Sequence, residues 1–125
     1  MIVWQQFAQY FEMAALEHPE PFDLEELRAG VASGQFLTVG VFDGEGMLAG
    51  ALCELTETRQ GRSLHVRYLA GNHMEMWLEE MQARLAEIAR AYDCRWLSLT
   101  GRLGWRKRLA RMGWNPVALQ MRVEV

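Results

Sequence analysis

Apolar positions along the chain follow two rhythms, one helical and one extended. Trp4, Phe7, Phe11 and Ala14 recur at spacings of three and four between Ile2 and Glu17, which predicts a first amphipathic helix. His18-Pro19-Glu20-Pro21 ends it, because proline cannot continue a helix and disfavours helical conformation in the residue before it; His18 reads as a surface turn residue. Asp23, ahead of Leu24-Glu25-Glu26, supplies a carboxylate for the free amides of a second helix, which runs to about Ser33 with Gly34 as its stop.

The rhythm then turns extended. Phe36 to Phe42, a turn at Asp43-Gly44-Glu45-Gly46 and Met47 to Thr58 predict a β-hairpin, and Ser63 to Ala70 adds a third strand after the turn at Arg59 to Arg62. Residues 74 to 92 return to helical spacing, with Trp77, Met81, Leu85, Ile88 and Tyr92 on one face; Asn72 is placed to cap this helix and Glu75 to close a capping box. Cys94 to Thr100 predicts a fourth strand, reached through the helix and parallel to a neighbour. A short helix around Trp105, Leu109 and Met112 stops at Gly113, and the alternation from Val117 to Val125 predicts a last strand. The predicted order is ααβββαβαβ, an α/β (α+β) fold with a central mixed sheet flanked by helices, spanning residues 1 to 125 as a single domain.

Composition narrows the class. Half of the 125 residues are hydrophobic, enough for a packed core that needs neither disulfide nor metal. Cys53 and Cys94 read as reduced thiols, and His18, His65 and His73 lack the spacing of a metal motif, so no metal is expected. No apolar run is long enough to span a membrane and no basic leader precedes the first helix, so a soluble, cytoplasmic protein is expected. The net charge of −3 conceals an asymmetry: residues 1 to 60 carry ten acids against two bases, and residues 61 to 125 carry six acids against eleven bases.

The order of elements from Phe36 onward resembles the GNAT superfamily of acyl-CoA-dependent N-acyltransferases. The hairpin Val39 to Leu52, with Gly50 in its second strand, and Leu109-Ala110-Arg111-Met112-Gly113-Trp114, similar to the family's helix ending in Gly-Phe, carry the likeness. In the family a glycine-rich turn after the third strand of the meander cradles the cofactor diphosphate with backbone amides and a helix start. The resemblance implies that Leu69, Ala70, Gly71, Asn72 and His73 would hold acetyl-CoA here. This stretch departs from the family's Arg/Gln-x-x-Gly-x-Gly/Ala: Gly71 is its one glycine, and Glu75, Glu79 and Glu80 follow where phosphates would sit. A tyrosine that many members place four residues before the terminal glycine is Leu109 here, which cannot donate a proton. His65 or Glu54 remains as a general base and Tyr68 as a replacement acid, if the protein is active.

Arg102, Arg106, Lys107, Arg108 and Arg111 form the strongest charge feature and suit phosphates or an acidic protein surface. The solvated face of a helix that buries Trp105, Leu109 and Met112 explains the same spacing. These readings lead to a GNAT-like protein with a degenerate site, a binding or assembly component that uses no cofactor and meets a protein partner or a second copy of itself. The small size, the shortened loop and the run from Gly101 to Trp114 are similar to acetyltransferase-like proteins encoded by phages or prophages, for which a virion-associated location follows. The alternative is an atypical N-acetyltransferase using acetyl-CoA. A third class, a nucleic-acid-binding regulator acting through residues 102 to 111, is disfavoured by the acidic pI of about 5.6. A transferase requires a gap between the strands at 63 to 70 and 94 to 100; an assembly protein fills it with Met74, Met76 or Trp96.

Overall fold

The computed structural model describes residues 4–17, 23–101, 103–119 and 121–125; His18 and Arg102 lie outside them. Two helices, α1 (Trp4–Glu17) and α2 (Leu24–Ser33), precede an antiparallel meander of β1 (Leu37–Asp43), β2 (Gly46–Thr58) and β3 (Gly61–Gly71). The long helix α3 (Met74–Ala91) leads to β4 (Trp96–Leu99), a 3-10 turn at Leu103–Trp105 and the short α4 (Arg106–Ala110). The sheet order is β1-β2-β3-β4, and β4 joins β3 in parallel, as a crossover through α3 requires.

Local chemistry accounts for the boundaries. Asp23 caps α2 by accepting a hydrogen bond from the Glu25 amide at 2.9 Å, and Gly34 closes it at a φ of 85° that suits glycine. Asp43 Oδ1 accepts from the amides of Glu45 and Gly46 at 2.7 and 3.0 Å, which fixes the first hairpin.

The sheet separates two apolar clusters. On one face Phe7, Tyr10 and Phe11 of α1 and Leu27 of α2 pack over Met47, Leu52, Tyr68 and Ala70. On the other, Trp77, Met81 and Leu85 of α3 pack with Leu109 of α4 over Ala49, Ala51, Cys53, Leu64 and Val66. A bulge divides β3 between these layers. Leu52 pairs with Tyr68 and Cys53 with Val66, so Arg67 is the extra residue and the two halves of β3 turn opposite faces to the same helix.

Three expectations are corrected. No strand forms among the described residues from Val117 to Val125; this stretch lies exposed beyond the helix stop at Gly113, without the ladder its alternation would need. Asn72 does not cap α3: its side chain is not used, and the cap position falls to His73, which makes no side-chain capping bond. Tyr92, assigned to the buried face of α3, is 41% exposed because the helix ends at Ala91 and Tyr92 is its cap residue.

Candidate functional site

The parallel ladder between β3 and β4 is short. Ser63, Leu64, His65 and Val66 pair with Trp96, Leu97, Ser98 and Leu99, and the Thr100 amide adds one bond to the Val66 carbonyl at 3.3 Å. β3 then continues to Gly71 while β4 has ended, so the two strands part at Val66 and Leu99. Trp96 stands at the opposite, closed end of the ladder, Met76 is exposed on α3, and Met74 packs against the α3-side core.

A groove of about 590 Å³ lies between the start of α3, which follows β3, and the start of α4, which follows β4; it is lined by His73, Met74, Glu75, Gly104, Trp105 and Arg108. It unites two stretches that the sequence separates by about thirty residues. Arg108 Nη1 reaches to 4.0 Å from Glu75 Oε2, so the groove has a cation although the sequence between Arg67 and Arg84 offers none. Trp105 and Leu109 are buried while Arg106, Lys107, Arg108 and Arg111 are exposed, the arrangement expected of an amphipathic turn.

The loop into α3 is fixed by its backbone. The Asn72 amide donates to the Leu48 carbonyl at 3.1 Å, and Trp77 Nε1 donates to the Asn72 carbonyl at 2.8 Å. His73 adopts a left-handed conformation with φ 57°, a cost of about 1–2 kcal/mol that this tethering sustains. Gly71 has a packing reason to be glycine: a Cβ there would lie 2.6 Å from Ala49 Cβ and from the Leu48 carbonyl oxygen. Ala70 is buried toward α1 and Leu69 packs on the α3-side core, so neither offers its side chain to the groove.

On the α1 face of the fork, polar side chains gather. His65 Nδ1 lies 2.8 Å from Ser98 Oγ and its Nε2 3.0 Å from Thr100 Oγ1, while Ser98 Oγ is 2.6 Å from the buried Ser63 Oγ. A hydroxyl both donates and accepts, so His65 can gain or lose a proton without giving up either contact. Glu54 pairs across the ladder with His65 and approaches Arg67 Nη1 at 3.7 Å. Tyr68, by contrast, is buried in the α1-side core with the Arg67 guanidinium 6.0 Å from its ring centre. Leu109 occupies the α3-side core. Among the described residues no group of three or more His, Cys, Asp or Glu is placed to hold a metal.

The Ser98 and Thr100 hydroxyls were not singled out in the sequence, although their alternation along one strand was a usable signal. Arg108 was found, but not its meeting with Glu75.

No family model and no curated protein sequence matches the chain. Solved structures do. A tetramutant of a Bacillus halodurans protein superposes with a TM-score of 0.77 at 10% identity, over 98% of this chain and 94% of its own. A predicted acetyltransferase from Clostridium acetobutylicum, solved with acetyl-CoA, gives 0.73 at 12% identity over 96% of this chain and 88% of its own. Glucosamine-6-phosphate N-acetyltransferase from Arabidopsis thaliana gives 0.70 at 10% identity over 96% and 89%. The fold is that of the GNAT acetyltransferases. At these identities the likeness establishes the GNAT fold alone, and activity has to be argued from the site.

Proposed function

We propose that this GNAT-fold protein binds an acyl-CoA along the fork between β3 and β4 and transfers the acyl group to an amine. The observation that carries the reading is the end of the ladder at Val66 and Leu99, together with the Arg108 groove between the starts of α3 and α4, the helices that follow those two strands. The residues fit the cofactor's charge: Arg108 offers a guanidinium to a diphosphate and offsets Glu75, and the start of α3 lines the same groove.

Bound there, the cofactor would supply an activated thioester carbonyl. His65, oriented by Ser98 and Thr100 at the fork, would accept the proton of an attacking amine, with Glu54 opposite it on β2 as the other candidate base. Leu69 to His73 would form the wall along which the cofactor lies. Tyr68, buried in the α1-side core, would act as an acid only by reaching the fork from its packed position.

A second reading, binding without transfer, draws on two observations. Leu109 is a core residue where many family members carry their proton donor, and Glu75 sits at the helix start that a diphosphate would approach. On this reading no cofactor is needed, and the exposed bases of α4 meet an acidic partner.

Calorimetric titration with acetyl-CoA at moderate salt, paired with thermal shift, tests the proposal, because a ligand that binds the folded state must raise its apparent stability. Micromolar affinity and release of free thiol in the presence of amines are expected. Absence of binding at millimolar acetyl-CoA overturns both cofactor use and transfer and leaves the second reading; binding without thiol release across an amine panel overturns transfer alone.

A further inference from the structure

Four side chains form one hydrogen-bonded file across β3 and β4. Ser63 Oγ lies 2.6 Å from Ser98 Oγ, Ser98 Oγ lies 2.8 Å from His65 Nδ1, and His65 Nε2 lies 3.0 Å from Thr100 Oγ1. The pairing of the strands sets this file: Ser63 and His65 are two apart on β3, Ser98 stands opposite His65, and Thr100 follows Ser98 by two, so all four share one face. The file has a dry end and a wet end. Ser63 is 5% exposed, His65 and Ser98 are half-buried, and Thr100 is exposed.

The wet end stands at the fork. The Thr100 amide makes the last bond to β3, at the Val66 carbonyl, and there the strands part. Its backbone is therefore held while its hydroxyl meets solvent. A hydroxyl within hydrogen-bond reach of an imidazole that a third group orients is the arrangement that activates a weak nucleophile. When Nδ1–H donates to Ser98, Nε2 is the acceptor for the Thr100 proton, and Ser98 can receive that bond while its own hydrogen passes to Ser63.

We propose that Thr100 is a nucleophile that takes an acyl group from a thioester onto its Oγ1, so that transfer runs in two steps through an acyl-threonine. With acetyl-CoA as donor this rests on the reading given above, and His65 serves both steps. In the first, Oγ1 bonds to the thioester carbonyl carbon, the carbon–sulfur bond breaks, and the Thr100 proton passes through His65 Nε2 to the leaving thiolate. In the second, an amine bonds to the same carbon, the carbon–Oγ1 bond breaks, and a proton of the amine returns through Nε2 to Oγ1; water in place of the amine releases the free acid. The first step carries its own proton for the thiolate, so it asks nothing of Leu109, which lies in the α3-side core.

The test exposes the full chain to two acyl donors, acetyl-CoA and p-nitrophenyl acetate, the second of which carries the acyl group without a nucleotide. The peptide holding residue 100 is weighed after acid quenching, and exchange of label between CoA and acetyl-CoA is followed with no amine present. An acetyl group at residue 100 and label exchange without amine are expected. Thr100→Val, which keeps the shape and loses the hydroxyl, should abolish both with an unchanged melt; Thr100→Ser should keep both, and His65→Ala should slow acylation by about 10²-fold. Acetyl at residue 100 from the nitrophenyl ester alone supports the nucleophile and removes acetyl-CoA as its donor, which separates this proposal from the reading it rests on. Neither acetyl at residue 100 nor label exchange, or transfer from acetyl-CoA to amines that Thr100→Val leaves intact, overturns the proposal.

Discussion

Arg108 Nη1 lies 4.0 Å from Glu75 Oε2, so a base on α4 faces an acid at the first turn of α3 across the groove. Both side chains are more than half exposed, and such a pair contributes little to stability. Its consequence is for anions. Glu75→Gln should tighten acetyl-CoA binding a few-fold by removing a like charge, and Arg108→Glu should weaken it by about tenfold, with both effects shrinking as salt is raised. Titration calorimetry at two salt concentrations checks this; equal affinities for the two variants would place the diphosphate elsewhere.

If transfer occurs, His65→Ala should lower kcat/KM by about 10²-fold or more, the usual scale for a lost general base. Ser98 acts through His65, as a positioning residue. Ser98→Ala removes one ring contact and should lower kcat/KM about fivefold, displace the acid limb of the pH profile, and be rescued by Ser98→Thr. A pH profile that both Ser98 variants leave unmoved would reduce Ser98 to a packing residue.

Burial pushes the Cys53 thiol up to about 12 from its ordinary value of 9.0. The unfolded chain gives up this proton near pH 9 and the folded chain retains it, so the stability involved is complete below pH 9 and is lost as pH rises toward 12, at up to about 1.4 kcal/mol per unit. Tyr10 is also raised, by burial first and Asp43 second, and acts in the same direction above pH 10. Urea midpoints at pH 8 and 10.5 should fall for the wild type and fall less for Cys53→Val. Native protein should react with a thiol reagent at the half-buried Cys94 well before Cys53.

Gly71→Ala should destabilise by about 1–3 kcal/mol, since the added carbon would press on Ala49 and on the Leu48 carbonyl, neither of which is a flexible side-chain end. Gly44→Ala, which meets nothing within 4 Å, is the control and should be close to neutral. Thermal melts separate the two by several degrees.

What the sequence made legible was periodicity. α1, α2, the meander and α3 declare themselves because apolar spacing of three and four, or of two, survives along each element, and the caps at Asp23, Gly34 and Gly113 carry their own chemistry. Leu64, Val66, Tyr68 and Ala70 look like one alternation, yet the first pair serves α3 and the second serves α1, because a bulge changes faces without changing the count of two. For the last strand the pattern records a preference for one buried face and says nothing of which surface buries it. The groove was illegible for a different reason: Arg108 meets Glu75 through the placement of α4 on the α3-side core, a tertiary event with no local mark.

The extra residue at Arg67 lets a single strand furnish two interiors. Paired in the ladder like its neighbours, it would carry the alternation on unbroken and send Tyr68 and Ala70 into the layer already filled by Trp77, so the strand's two halves are wedded to opposite layers and Arg67 is the joint between them.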